Sequence, residues 1–326
     1  MKRSLQCVSY CFLAVVFVFS VACQPATPSQ SAKTNKRVVV IANTPSNFWK
    51  IARKGCEKAD AELPNVEVVF KLPFGVTKLE QDRLIQDALK NGADAIAISP
   101  TDPEGQKKAI NDAAKKVPLI TQDSDAPDTD RLLYLGADNR AAGHQAGELV
   151  KAALPQGGKI MVFVGKREVQ NAKERFEGLK DALQGSKVEV VNLMTDDNDL
   201  TQARDNVVTT LDKHPDVVGL VGLWGYNGPI ILEAVTDAKK VGKVKIVCFD
   251  NETEVLNGIR DGAIFATVAQ QPFEYGYQSV QLLAKILSGD RSVIPERKVV
   301  YIPTVVIQRN NVEEYKNKLN QLLASQ

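Results

Sequence analysis

The chain has 326 residues, of which 44% are apolar and 25% charged, with a formal net charge of +2. That is an ordinary globular balance. It excludes a chain dominated by disorder and leaves no basic footprint for nucleic acid, and the length suggests two domains sharing a cleft. Of the 5 cysteines, Cys7, Cys11 and Cys23 fall in an N-terminal leader. Cys56 and Cys248 lie in apolar-patterned segments and read as small buried hydrophobes rather than disulfide partners.

The leader has three parts. Lys2 and Arg3 form a positive start, Val8 to Val21 an apolar core, and Ser20-Val-Ala-Cys23 a small-residue cleavage region. This is the pattern of an export signal, and its core is far short of the ~20 residues that span a bilayer. The cleavage region resembles a bacterial lipobox, so residues 1–23 are expected to be a lipoprotein signal peptide with Cys23 lipidated. Residues 24–36 (QPATPSQSAKTNK) hold no aliphatic run and are expected to act as a linker.

From there short apolar runs alternate with helix-patterned segments. Strands are expected at 38–42, 66–71, 93–99, 117–121 and 132–135. Helices are expected at 49–63 and 79–91 and after Asp102-Pro103, where proline suits a first turn. The rhythm restarts with a helix from Arg140 and strands at 159–164, 188–193, 217–223, 244–249 and 264–269. Helices between them end near Leu183 or cover 201–213, 229–239 and 253–260. A helix over 273–288 and a strand-like 298–302 close the pattern, and these two are expected to return to the first half. Each half is a βα array, hence an α/β fold with two doubly wound parallel sheets.

In parallel sheets ligands settle outside the carboxyl ends of strands. The segments at those ends are Asn43-Thr-Pro-Ser-Asn-Phe-Trp49, Ser99-Pro-Thr-Asp102, Thr121-Gln-Asp-Ser-Asp125, Thr195-Asp-Asp-Asn198, Trp224-Gly-Tyr-Asn227, Phe249-Asp-Asn251 and Ala269-Gln-Gln-Pro272. Carboxylates, amides and aromatic rings are thus expected on one edge. Asp123 and Asp250 also offer the pair of carboxylates that a glycosidase would need. No G-x-G-x-x-G follows a strand, and no P-loop, H-E-x-x-H or G-x-S-x-G occurs. The two histidines, His144 and His214, are far apart, so metal and triad chemistry lack parts.

Seven short blocks occur in order: Asn47-Phe-Trp49, Ile98-Ser-Pro-Thr-Asp102, Leu119-Ile-Thr-Gln-Asp123, Gly136-Ala-Asp-Asn139, Lys173-Glu-Arg-Phe-Glu-Gly178, Val247-Cys-Phe-Asp250 and Ala266-Thr-Val-Ala-Gln270. Through them residues 37–308 resemble the periplasmic sugar-binding proteins of ABC importers, the group of the ribose-binding protein. The resemblance implies a type I periplasmic binding protein fold. Its lobes would be 37–137 with 271–303 and 138–270 with 304–326, joined by a three-crossing hinge. It implies a monomeric binding protein of the periplasm or cell envelope, not an enzyme, without cofactor or metal, whose partners are a small sugar, an ABC permease and, through the anchor, the membrane. The alternative is a sensory module presenting sugar to a membrane receptor or kinase.

The resemblance further implies that Phe48 and Trp49 flank the sugar and that Asp123, Arg175, Asp250 and Gln270 bind its hydroxyls. Such residues suit a sugar, which offers apolar C–H faces to rings and a rim of hydroxyls to charged groups. The chain departs from the ribose pattern at Ser99, Ser124, Asn198 and Trp224. Ser99, Asn198 and Trp224 are retained as site residues, and the departures imply a sugar without implying ribose. Plainer roles stand beside these: a helix staple for Phe48 and Trp49, caps for Asp123 and Asp250, a surface ion pair for Arg175 and a core position for Trp224. Asp138 and Asn139 read as structural residues at a crossing.

Overall fold

The computed structural model describes residues 35–75 and 77–324. The leader, Cys23 and the linker up to Thr34 lie outside the described residues. No helix among the described residues is long and apolar enough to cross a membrane.

The chain order is β1 (Lys36–Ile41), α1 (Asn47–Glu62), β2 (Val66–Lys71), α2 (Lys78–Lys90), β3 (Ala95–Ile98), α3 (Pro103–Ala114), β4 (Leu119–Gln122) and β5 (Tyr134–Gly136). It continues with α4 (Asn139–Ala153), β6 (Gly158–Val164), α5 (Gln170–Leu183), β7 (Val188–Thr195), α6 (Leu200–Lys213), β8 (Val217–Gly222), α7 (Asn227–Asp237), β9 (Lys245–Phe249), α8 (Thr253–Asp261) and β10 (Ala266–Ala269). Then come α9 (Pro272–Leu287), β11 (Val299–Tyr301), β12 (Val305–Ile307) and α10 (Val312–Ala324).

Two six-stranded sheets result, ordered β11-β5-β4-β3-β1-β2 and β12-β10-β9-β8-β6-β7. The orders are the same pattern twice, so β4 and β9 occupy equivalent places, as do β5 and β10. All pairings are parallel except β10 with β12. The chain passes between the sheets after β5, after β10 and after β11. These are two α/β parallel-sheet lobes.

Strands covered on both faces must be apolar on both. In the first sheet Val38, Val40, Ala95 and Ala97 face one core with Tyr275, Val280 and Leu283 of α9. Their neighbours Val39, Ile41, Ile96 and Ile98 face another with Leu84, Ile85 and Ile110. Most segments fall within a few residues of where periodicity places them. The helix expected at 229–239 begins earlier, at Asn227, because Asn227 Oδ1 accepts from the Trp224 amide and Pro229 is tolerated in a first turn. The short antiparallel β12 and the final α10 carry no clear signal in the pattern.

Two helix pairs pack backbone to backbone. A Cβ on Gly55 of α1 would sit 1.9 Å from the Phe273 carbonyl oxygen, and one on Gly276 of α9 would sit 1.9 Å from that of Ala52. In the second lobe Gly143 of α4 and Gly178 of α5 stand 2.0 Å, on the same measure, from the carbonyl oxygens of Arg175 and Arg140. Neither pair has room for a methyl group. Gly276→Ala should therefore lower stability by about 1–3 kcal/mol as the helices are forced apart; an unchanged urea midpoint would show that α1 and α9 can slide freely.

Candidate functional site

Asp123 and Asp250 follow β4 and β9 at equivalent places, and both adopt left-handed backbone, with φ of 61° and 66°. Aspartate tolerates that region better than most side chains. Each turn is pinned in the same way. The Asp123 amide donates to the Leu135 carbonyl and its own carbonyl accepts from Tyr134 Oη at 3.0 Å. The Asp250 amide donates to Val268 and its carbonyl accepts from Thr267 Oγ1 at 2.7 Å. Neither residue caps a helix: α4 is capped by Asp138, and α8 begins after Glu252.

On the first lobe Asp123 Oδ2 accepts from Ser99 Oγ at 2.7 Å and from Asn43 Nδ2 at 3.2 Å. Asn43 in turn accepts from Trp49 Nε1 at 2.7 Å. Trp49 is only 1% exposed, with Phe48 edge-on at 5.2 Å and Phe70 beyond. The structure thus sets Trp49 one layer behind the loop edge, where it fixes Asn43 and presents no free ring face. Phe48 is half-buried, 5.9 Å from the ring of Tyr275. Ser124 has a buried hydroxyl without a partner among the described residues.

On the second lobe Asp250 Oδ1 accepts from the Gln270 side chain at 3.0 Å, and Gln270 Oε1 accepts from Tyr275 Oη at 3.2 Å. Tyr275 belongs to α9, so this chain of bonds joins the lobes. Arg175 on α5 is 1% exposed. Its Nε donates to Asn139 Oδ1 at 3.0 Å, Nη1 donates to the Leu223 carbonyl at 2.8 Å, and the guanidinium lies 4.5 Å from the Phe249 ring centre. No carboxylate among the described residues comes within ion-pair distance of it, so it is not a surface pair.

Trp224 is half-buried, its Nε1 donating to Asn171 Oδ1 at 3.0 Å and its ring edge-on to Tyr226. A Cβ on Gly165 would sit 2.1 Å from the indole and 2.7 Å from Asn198 Oδ1, so glycine makes the room both need. Asn198 is exposed, with φ of 68°. Asp123, Arg175, Asp250, Gln270 and Ser99 therefore gather with Phe48 close by, while Trp224 and Asn198 form a second group and Trp49 supports from behind. The sequence places Asn43 in a strand-end segment without a role of its own, gives Asn139 a structural role, and offers no signal for Asn171 or Tyr275. Asn43 follows Ala42 just beyond β1, where a polar residue ending an apolar run is the available signal.

Burial pushes the Asp123 carboxyl up to about 6; Ser99 and the Arg175 charge oppose this, and the Asp250 charge adds to it. Asp123 thus feels the charges of Arg175 and Asp250 from the second lobe. Burial also raises Glu252, with help from Asp250. Cys248 is free and buried, its thiol pushed up to about 12, and Cys56 is likewise buried and free. Among the described residues no group of three or more His, Cys, Asp and Glu side chains could hold a metal ion. His144 is exposed near Glu148, and His214 ends α6.

A family profile described as periplasmic binding protein domain matches residues 37–291. The chain belongs to that family. It is 27% identical over 270 residues to the ribose import binding protein RbsB of Salmonella typhimurium, covering 82% of this chain and 90% of the relative. Among solved structures it resembles an ABC transporter solute-binding protein from Burkholderia graminis in complex with D-arabinose (26% identity, TM-score 0.81, 87% of this chain and 98% of the other). It also resembles GanP, a glucose-galactose binding protein from Geobacillus stearothermophilus (27% identity, TM-score 0.79, 85% and 98%). These relatives are binding proteins, and this chain, like them, is not an enzyme.

A carboxyl held near 6 when folded, against about 3.9 when unfolded, gives the folded state the stronger hold on the proton. Its stabilising contribution is complete below pH about 4 and is lost as pH rises through 6. Asp123→Asn should thus stabilise the ligand-free protein at pH 7 by up to about 3 kcal/mol, with little gain at pH 4. Urea unfolding of both proteins at the two pH values checks the sign; an equal difference at both would remove the buried carboxylate as its cause.

Proposed function

We propose that this protein captures a monosaccharide or close polyol between its lobes and hands it to an ABC permease. The lobes would be 37–137 with 271–303 and 138–270 with 304–326, closing about the three crossings. The observation that carries the reading is Arg175: a guanidinium buried without a carboxylate partner among the described residues, within electrostatic reach of Asp123, which Asp250 also reaches.

Such an arrangement favours a neutral ligand rich in hydroxyls, because a hydroxyl donates to a carboxylate and accepts from a guanidinium. Asp123 and Asp250 would accept from the sugar, and Arg175 would donate. Ser99, Gln270 and the free hydroxyl of Ser124 would complete the rim, while Phe48 and Trp224 would offer rings to its apolar faces, with Asn198 beside Trp224. The relatives named for ribose, for glucose and galactose, and in complex with D-arabinose support this class of ligand. A cavity of about 330 Å³ opens elsewhere, against α10.

A thermal-shift screen with D-ribose, D-arabinose, D-allose, D-galactose and polyols should find a ligand. Charge-assisted hydrogen bonds are worth roughly 1.5–3 kcal/mol, so Asp250→Asn and Arg175→Lys should each weaken the best sugar tenfold or more in calorimetry. Retention of wild-type affinity by both variants would place the sugar elsewhere.

The leader supports export and anchoring, with the folded part tethered in the periplasm or cell envelope. The wild type should fractionate with membranes and carry lipid on Cys23, whereas Cys23→Ser should not. Mass spectrometry of the mature N-terminus decides, and an unmodified Cys23 ends the lipoprotein reading.

A further inference from the structure

The cavity of about 330 Å³ has walls from both lobes. Ile51 of α1, Phe273 of α9, Asn251 and Tyr315, Leu319 and Leu322 of α10 line it. In α10 Val312 is fully buried, Tyr315 and Leu319 are half-buried against the second-lobe core, and Leu322 is 40% exposed. We propose that this cavity is an accessory binding site for a small uncharged amphipathic molecule, one with an aromatic or short alkyl body and a single hydrogen-bonding group.

The occupant follows from size, lining and charge. The volume is at the lower end for small-molecule sites, and a docking helix about 10 Å across does not fit. The walls are mainly aliphatic and aromatic. Gln271 and Asn311 add polar groups to the lining, and the buried Asn251 amide donates to Tyr315 Oη at 2.8 Å, which leaves a paired amide and hydroxyl for a ligand to join. Among the described lining residues the one cation, Lys318, is paired with Glu314, and Glu274 accepts from Gln278, so no unpaired cation awaits an anion.

Position gives the site a consequence. Asn251 and Gln271, both lining the cavity, directly follow Asp250 and Gln270 in the chain. With one wall on each lobe, an occupant favours the lobe arrangement seen here, in which Asp123, Arg175 and Asp250 lie together. A ligand binding one arrangement better shifts the population toward it, and the coupling is reciprocal. The accessory ligand should therefore tighten sugar binding; this half of the inference rests on the sugar reading above, whereas the cavity itself does not.

Indole is a suitable probe, with indole-3-acetate as its anionic counterpart. Calorimetry on the sugar-free protein should show one indole site with millimolar or tighter affinity and no detectable indole-3-acetate binding. Leu322→Trp, which covers the opening, and Leu322→Lys, which charges it, should each weaken indole at least fivefold. No indole binding up to its solubility limit, or equal binding by wild type and both variants, overturns the site. Saturating indole should tighten the best sugar of the screen at least twofold, and an unchanged sugar affinity overturns the coupling. Indole binding by a protein that binds no sugar sustains the site and defeats the sugar reading instead.

Discussion

A guanidinium buried without a carboxylate beside it is expensive in a low-dielectric interior, and other dipoles must hold it. Arg175 is in that position, and much of the second lobe is arranged around it. Asn139 from α4, the Leu223 carbonyl after β8 and the ring of Phe249 from β9 are its partners. They meet only because α4 and α5 touch through Gly143 and Gly178, which brings Asn139 within reach of an arginine on the neighbouring helix. Helix packing, strand ends and site electrostatics are thus one problem. Replacing the arginine with an apolar residue would suit the core and remove the charge that opposes protonation of Asp123.

The duplication of the fold extends to single atoms. Asp123 and Asp250 share a left-handed backbone, a strand-end amide bond and a carbonyl held by a side chain from the neighbouring strand. The glycine pairs of α1 with α9 and of α5 with α4 are equivalent in the same way. The copies differ in what surrounds each carboxylate. Asp123 is held by Ser99 and Asn43, and Asp250 by Gln270. One turn serves two lobes, and the side chains around it give each lobe its own recognition surface.

Much of this was legible because strand ends are legible. A buried parallel strand is largely an apolar run, and the polar residues at its end mark the edge, which places the segments holding Ser99, Asp123, Asp250 and Gln270, while the resemblance singles out the residues within them. Depth was not legible. Trp49 follows Phe48 on a helix start, and nothing in that spacing says that its indole turns inward to hold Asn43. Asn139 and Tyr275 act through partners far away in the chain, which periodicity does not report. The short β12, set between Pro303 and the polar stretch after Gln308, pairs antiparallel at an edge and needs no long apolar run.

The edge strands have a further meaning for how the chain matures. β11 completes the first sheet by pairing with β5, and β12 completes the second by pairing with β10, only three residues apart near the C-terminus. Until residues 299–307 are in place, β5 and β10 each show an unpaired edge, the feature that invites association with other chains. Neither lobe is finished before the other is nearly so. Synthesis from the N-terminus therefore leaves the β5 edge of the first sheet unpaired until residues 299–301 have been made.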